Sequence, residues 1–85
     1  MMKKIKLCED DHLMGYKKDD ELIVELRPNP SSGSLVVIEC GGDHFVCRYE
    51  NIEGKKFLWP PRGFGPEDYD RIIVGQAVEL LRNIA

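Results

Sequence analysis

Apolar and polar positions alternate over short stretches along most of this chain, the period-two signature of half-buried β-strands. Ile5 to Cys8 reads as a brief strand in which Lys4 and Lys6 face away from Ile5 and Leu7. An acidic loop, Glu9-Asp10-Asp11-His12, leads to Leu13-Met14-Gly15-Tyr16, and the polar stop Lys17-Lys18-Asp19-Asp20 precedes a strand over Leu22 to Leu26. Pro28 and Pro30, followed by Ser31-Ser32-Gly33-Ser34, form a loop, because proline cannot donate to a sheet and glycine permits tight bends.

The strongest strand signal is Leu35-Val36-Val37-Ile38-Glu39-Cys40. Gly41-Gly42 then has the composition of a two-residue primed hairpin turn, with Phe45 to Tyr49 as the returning strand. Asn51-Ile52-Glu53-Gly54 turns the chain again into a strand over Lys55 to Trp59, and Pro60 to Pro66 reads as a rigid, exposed loop. The last segment carries two patterns. Ile73, Ala77, Leu80, Leu81 and Ile84 recur at helical spacing, whereas Val74, Val78 and Leu80 alternate, and intrinsic propensity alone favours helix over Gln76 to Asn83.

Composition narrows the class. At 85 residues with 42% hydrophobic positions, the chain is a single small globular domain rather than a disordered segment. No linker or internal repeat interrupts it. The net charge of −3 argues against direct nucleic-acid binding, which calls for a clustered basic face. No apolar run approaches the ~18–20 residues of a membrane span, and the basic start at Lys3 and Lys4 lacks the apolar stretch of a signal peptide. Cys8, Cys40 and Cys47 match no disulfide framework, so reduced thiols and a cytoplasmic setting are expected.

The order of these features resembles the LexA-like serine–lysine peptidases, which share their fold with signal peptidase and include phage repressor C-terminal domains. That family's Gly-Asp-Ser-Met-Glu-Pro segment is matched by Asp10-Asp11-His12-Leu13-Met14-Gly15, and its Asp-Gly-Asp segment by Asp19-Asp20-Glu21. Gly33-Ser34-Leu35-Val36-Val37 and Phe45-Val46-Cys47-Arg48 match its two central strands. Phe57-Leu58-Trp59-Pro60 and Ile72-Ile73-Val74-Gly75 match its closing ones. The match covers about residues 8–84. It implies a mainly β, coiled and barrel-like sheet, and it favours strand over helix in the last segment.

In that family a serine hydroxyl attacks and a buried neutral lysine takes its proton, because desolvation lowers the lysine pKa. The matching positions here are His12 and Cys47, so the resemblance implies a degenerate dyad with no serine–lysine catalysis. The family's self-cleavage bond, Ala-Gly or Cys-Gly upstream of the serine, has no counterpart there. Cys40-Gly41 lies in the hairpin instead. Only eleven residues precede His12, so neither a cleavable arm nor a DNA-binding domain is expected.

Two active readings compete with a silent site. His12 beside Cys47 would make an imidazole–thiol pair with the family roles swapped. Cys8, His12, Cys40, His44 and Cys47 also supply metal-ligand chemistry, but no spacing fits a Cys-x₂-Cys or His-x₃₋₅-His pair, so neither metal nor cofactor is expected. The family's terminal strands build a dimer, which points to Ile73, Gly75, Ala77, Glu79 and Leu81 as an interface. Trp59, Arg62 and Phe64 form a candidate recognition loop, since tryptophan and arginine are enriched at binding hot spots. The expected function is therefore an inactive LexA-like module that dimerises or binds a protein partner, with a Cys47–His12 thiol hydrolase as the alternative.

Overall fold

The computed structural model describes residues 1–8, 10, 15–26 and 29–81. They form six strands: β1 (Met2–Lys6), β2 (Glu21–Glu25), β3 (Leu35–Cys40), β4 (Asp43–Ile52), β5 (Lys55–Trp59) and β6 (Ile73–Leu81). A 3₁₀ turn, Pro66–Asp68, runs into a single helical turn, α1 (Tyr69–Ile72), between β5 and β6. All strands join one antiparallel sheet in the order β1-β2-β6-β3-β4-β5. The mainly β expectation is met. The sheet stays open, with β1 and β5 at its two ends, so it is not a closed barrel.

The turns follow from glycine. Cys40 pairs with Asp43 across Gly41 and Gly42, whose φ angles are +60° and +87°, as a type I′ turn requires. The next hairpin is as tight. Ile52 pairs with Lys55 around Glu53 (φ +52°) and Gly54 (φ +84°), so β4 runs on through Asn51 and Ile52, where the sequence suggested a turn. The first strand begins earlier than its alternation suggests. Residues Met2 to Lys6 pair with β2, and Leu7 continues the pairing through an N–H donated to the Asp20 carbonyl at 2.9 Å.

The mixed pattern of the last segment has a geometric cause. In β6, Ile23 and Val24 of β2 face Glu79 and Ala77, while Val37 and Ile38 of β3 face Gly75 and Ile73. Val78 and Val74 are therefore the extra residues of two β-bulges, and each bulge resets which side the following side chains face. Two such resets break the period of two and mimic helical spacing. The strand reading holds through Leu81, and residues 82–85 lie outside the described residues.

β6 is also where the sheet changes direction. Its pairing with β3 ends at Gln76 and its pairing with β2 begins there, so two half-sheets share this strand. Glycine at position 75 permits the close approach: a Cβ there would press into the Glu25 carbonyl and lie 2.8 Å from Val24 Cγ1. One cluster holds Val36, Ile38, Cys47, Tyr49 and Leu58 under Tyr69 and Ile72 of α1. The other packs Ile5, Leu7, Leu22 and Val24 against Val37 and Val46 on the opposite face. Val36, Val37 and Ile38 are accordingly all buried, which is why β3 reads as an unbroken apolar run.

Candidate functional site

Cys47 lies in the middle of β4, opposite Val36, with no exposed surface. Its Sγ is 3.4 Å from the Pro60 carbonyl oxygen and donates a weak hydrogen bond to it. Around it stand Val36, Ile38, Tyr49, Leu58, Tyr69 and Ile72, an apolar shell. The fold thus treats Cys47 as a small core residue, as buried free cysteines commonly are. His12, the other half of the expected dyad, lies outside the described residues.

The other two cysteines are exposed at the surface. Cys8 Sγ points at the His44 carbonyl oxygen, 3.6 Å away, beside the β3–β4 hairpin. Glu39 and His44 are cross-strand partners in that hairpin, with Nε2 of His44 3.4 Å from Glu39 Oε2. Cys40 neighbours Glu39 and therefore points to the opposite face from His44. Among the described residues no group of three His, Cys, Asp or Glu side chains converges as a metal site.

The expected recognition loop divides. Trp59 closes β5, follows its strand geometry and is 61% exposed, joined to Pro60 by a cis peptide bond. Arg62 instead lays its guanidinium over the Phe45 ring, 4.2 Å from the centroid, and Phe64 packs against the Cys47 cluster. Only Trp59 of the three is an outward-facing side chain. The loop from Pro60 to Pro66 is thus partly a lid on the core rather than wholly exposed.

The expected interface strand is interior to the sheet. Within β6, Gly75 is buried, Ile73, Ala77 and Leu81 are half-buried, and Glu79 is exposed. The strand pairs with β3 on one side from Ile73 to Gln76 and with β2 on the other from Gln76 to Leu81.

What sequence reasoning passed over is the surface of the β4–β5 hairpin. Ile52, Phe57 and Trp59 are 58%, 49% and 61% exposed. The register pairs Ile52 with Lys55, Glu50 with Phe57 and Arg48 with Trp59, so all six side chains share one face. The signal was present in Lys55-Lys56-Phe57-Leu58-Trp59: Leu58 is buried, so alternation turns its two aromatic neighbours outward. A groove of about 550 Å³ lies along the outer edge of β5, lined by Gly54, Lys55, Lys56, Phe57, Pro66 and Glu67. No protein-family model and no curated protein matches this chain. Among the described residues no helix is long and apolar enough to cross a membrane.

Proposed function

We propose that this chain is a catalytically silent, LexA-like β module of the cytoplasm that works by binding a protein surface. The observation that carries this reading is the exposed face of the β4–β5 hairpin, where Phe57 and Trp59 of β5 and Ile52 of β4 all stand in water. Contiguous exposed apolar patches mark interaction sites, and tryptophan is enriched at binding hot spots. Supporting the silent half, Cys47, which the resemblance aligns with the family lysine, has no solvent access, and its thiol is engaged by the Pro60 carbonyl. A nucleophile for an external substrate has to be reachable, and a reactive cysteine has to be partly exposed in a polar setting.

The test compares the native chain with a Phe57→Ser/Trp59→Ser variant, both immobilised at equal density, and identifies retained proteins by mass spectrometry. The module reading expects a protein kept by the native surface and lost from the variant. Identical retention on both surfaces contradicts it. The thiol-hydrolase alternative is checked in parallel with peptide and ester substrates: turnover that disappears in Cys47→Ala establishes it, whereas equal background rates remove it.

A further inference from the structure

We infer that the open edge of β1 takes up an extended, acidic segment of another protein as an added strand. This surface is separate from the β4–β5 face. The main-chain bonds define what β1 offers. Leu26 donates its N–H to the Met1 carbonyl, while Leu7 donates to the Asp20 carbonyl and accepts from the Asp19 N–H. With Lys3 opposite Val24 and Ile5 opposite Leu22, the odd-numbered residues turn their main-chain groups toward β2. Met2, Lys4 and Lys6 turn theirs away from the sheet. β1 pairs with β2 and with no other described strand, so its outer edge remains a template for pairing. The other end of the sheet differs, because Leu58 of β5 has its N–H bonded to Tyr69 Oη.

Charge along the edge selects the occupant. The side chains of Met2, Lys4 and Lys6 stand exposed on one face, and Lys3 is exposed on the other. Lys4 lies opposite Ile23 and Lys3 opposite Val24, so neither has an acid directly across from it. Lys6 lies opposite Glu21, yet none of the three lysines is in an ion pair among the described residues. Lysine on an edge strand commonly keeps other strands away. It does so by charge, and charge is selective. A second β1 would set lysine against lysine, whereas carboxylates at alternate positions turn the same row into attraction. Every strand pair in this sheet is antiparallel, and in that geometry the residues opposite Lys6 and Lys4 are two apart and share a face. The segment that fits carries Asp or Glu at those two positions with a β-branched residue between them. Two residues further on it carries an apolar residue beside Met2, which is 58% exposed. Main-chain hydrogen bonds supply the affinity, and the carboxylates supply the choice.

The test uses the full chain and fluorescein-labelled peptides, with binding followed by anisotropy. One peptide carries Glu-Val-Glu-Val-Ile and its comparison carries Gln-Val-Gln-Val-Ile. The glutamate peptide is expected to bind saturably, about fivefold or more tightly than the glutamine one, and to weaken as salt rises. Lys4→Glu is expected to weaken it about tenfold and to bind Glu-Val-Lys-Val-Ile better, since that lysine stands opposite position 4. Circular dichroism establishes that the variant is folded. Amide hydrogen exchange reads the edge itself. In the free protein the Ile5 amide is expected to be protected and those of Lys4 and Lys6 to exchange fast, and bound peptide slows both. The Phe57→Ser/Trp59→Ser variant is expected to bind the peptide as the native chain does. Absence of binding overturns the inference, and so does equal affinity for the glutamate and glutamine peptides. Lys4 and Lys6 amides that exchange equally fast with saturating peptide also overturn it, as does loss of binding in Phe57→Ser/Trp59→Ser. Failure of the module reading is distinct, being marked by identical protein retention on the native and Phe57→Ser/Trp59→Ser surfaces.

Discussion

Tyr69 Oη accepts a hydrogen bond from the main-chain N–H of Leu58 at 3.2 Å, joining α1 to the last strand of the sheet. Both residues are buried, so the bond forms where water does not replace it. It also decides how β5 meets the outside, since an edge amide satisfied from within is no longer a template for a foreign strand. Tyr69→Phe keeps the ring in the Cys47 cluster and removes only the oxygen. The variant is expected to lose about 1–3 kcal/mol, the cost of one buried unsatisfied donor. Urea denaturation monitored by Trp59 fluorescence measures it, and an unchanged midpoint would show that Leu58 finds another acceptor.

Gly75 marks the point where β6 passes from β3 to β2. A methyl group there has no space beside the Glu25 carbonyl and Val24 Cγ1, and neither backbone nor core gives way cheaply. Gly75→Ala is expected to destabilise the fold by about 1–3 kcal/mol through overpacking. Gly65→Ala is the control. Its Cβ would meet only the end of the Glu67 side chain, which can swing away, so a change within about 0.5 kcal/mol is expected. Equal effects of the two substitutions in thermal melts would refute the close-approach account.

Asp20 is a buried polar residue that organises the entry to β2. Its Oδ2 accepts the Lys17 N–H at 2.9 Å, its own N–H donates to the Lys17 carbonyl at 3.0 Å, and its carbonyl receives the Leu7 N–H. Asp20→Ala removes the side-chain acceptor and is expected to cost about 1–3 kcal/mol. Asp20→Asn, which retains an oxygen at the same place, is expected to cost less. Hydrogen exchange at the Lys17 amide reports the local effect: it should accelerate strongly in the alanine variant and weakly in the asparagine one.

The parts of this fold legible from sequence are those written in local chemistry. Gly41-Gly42 specifies its hairpin because only glycine adopts two successive positive φ angles without cost, and the flanking runs of β3 and β4 leave one way to pair. The end of the chain was less legible, because the bulges at Val74 and Val78 are dictated by what β2 and β3 require on either side, not by β6 itself. The short helix at Tyr69–Ile72 has too few residues for a periodic signal, and its function as a cover is set by long-range packing on Cys47 and Leu58. At the candidate site, the aromatic content of the 59–64 segment was evident. Which of Trp59, Arg62 and Phe64 turns outward depended on Phe45, a residue two strands away in sequence, which draws the guanidinium inward.

Accessibility of Cys47 tests the silent-module account most directly. Native protein is treated with iodoacetamide over a range of pH, and each cysteine is followed by mass spectrometry. The account predicts that Cys8 and Cys40, both exposed, are alkylated in the folded state, and that Cys47 reacts only after denaturation. Rapid alkylation of Cys47 in the native protein well below pH 8, slowed by His12→Ala, would contradict it and show an activated thiol in place of a silent one.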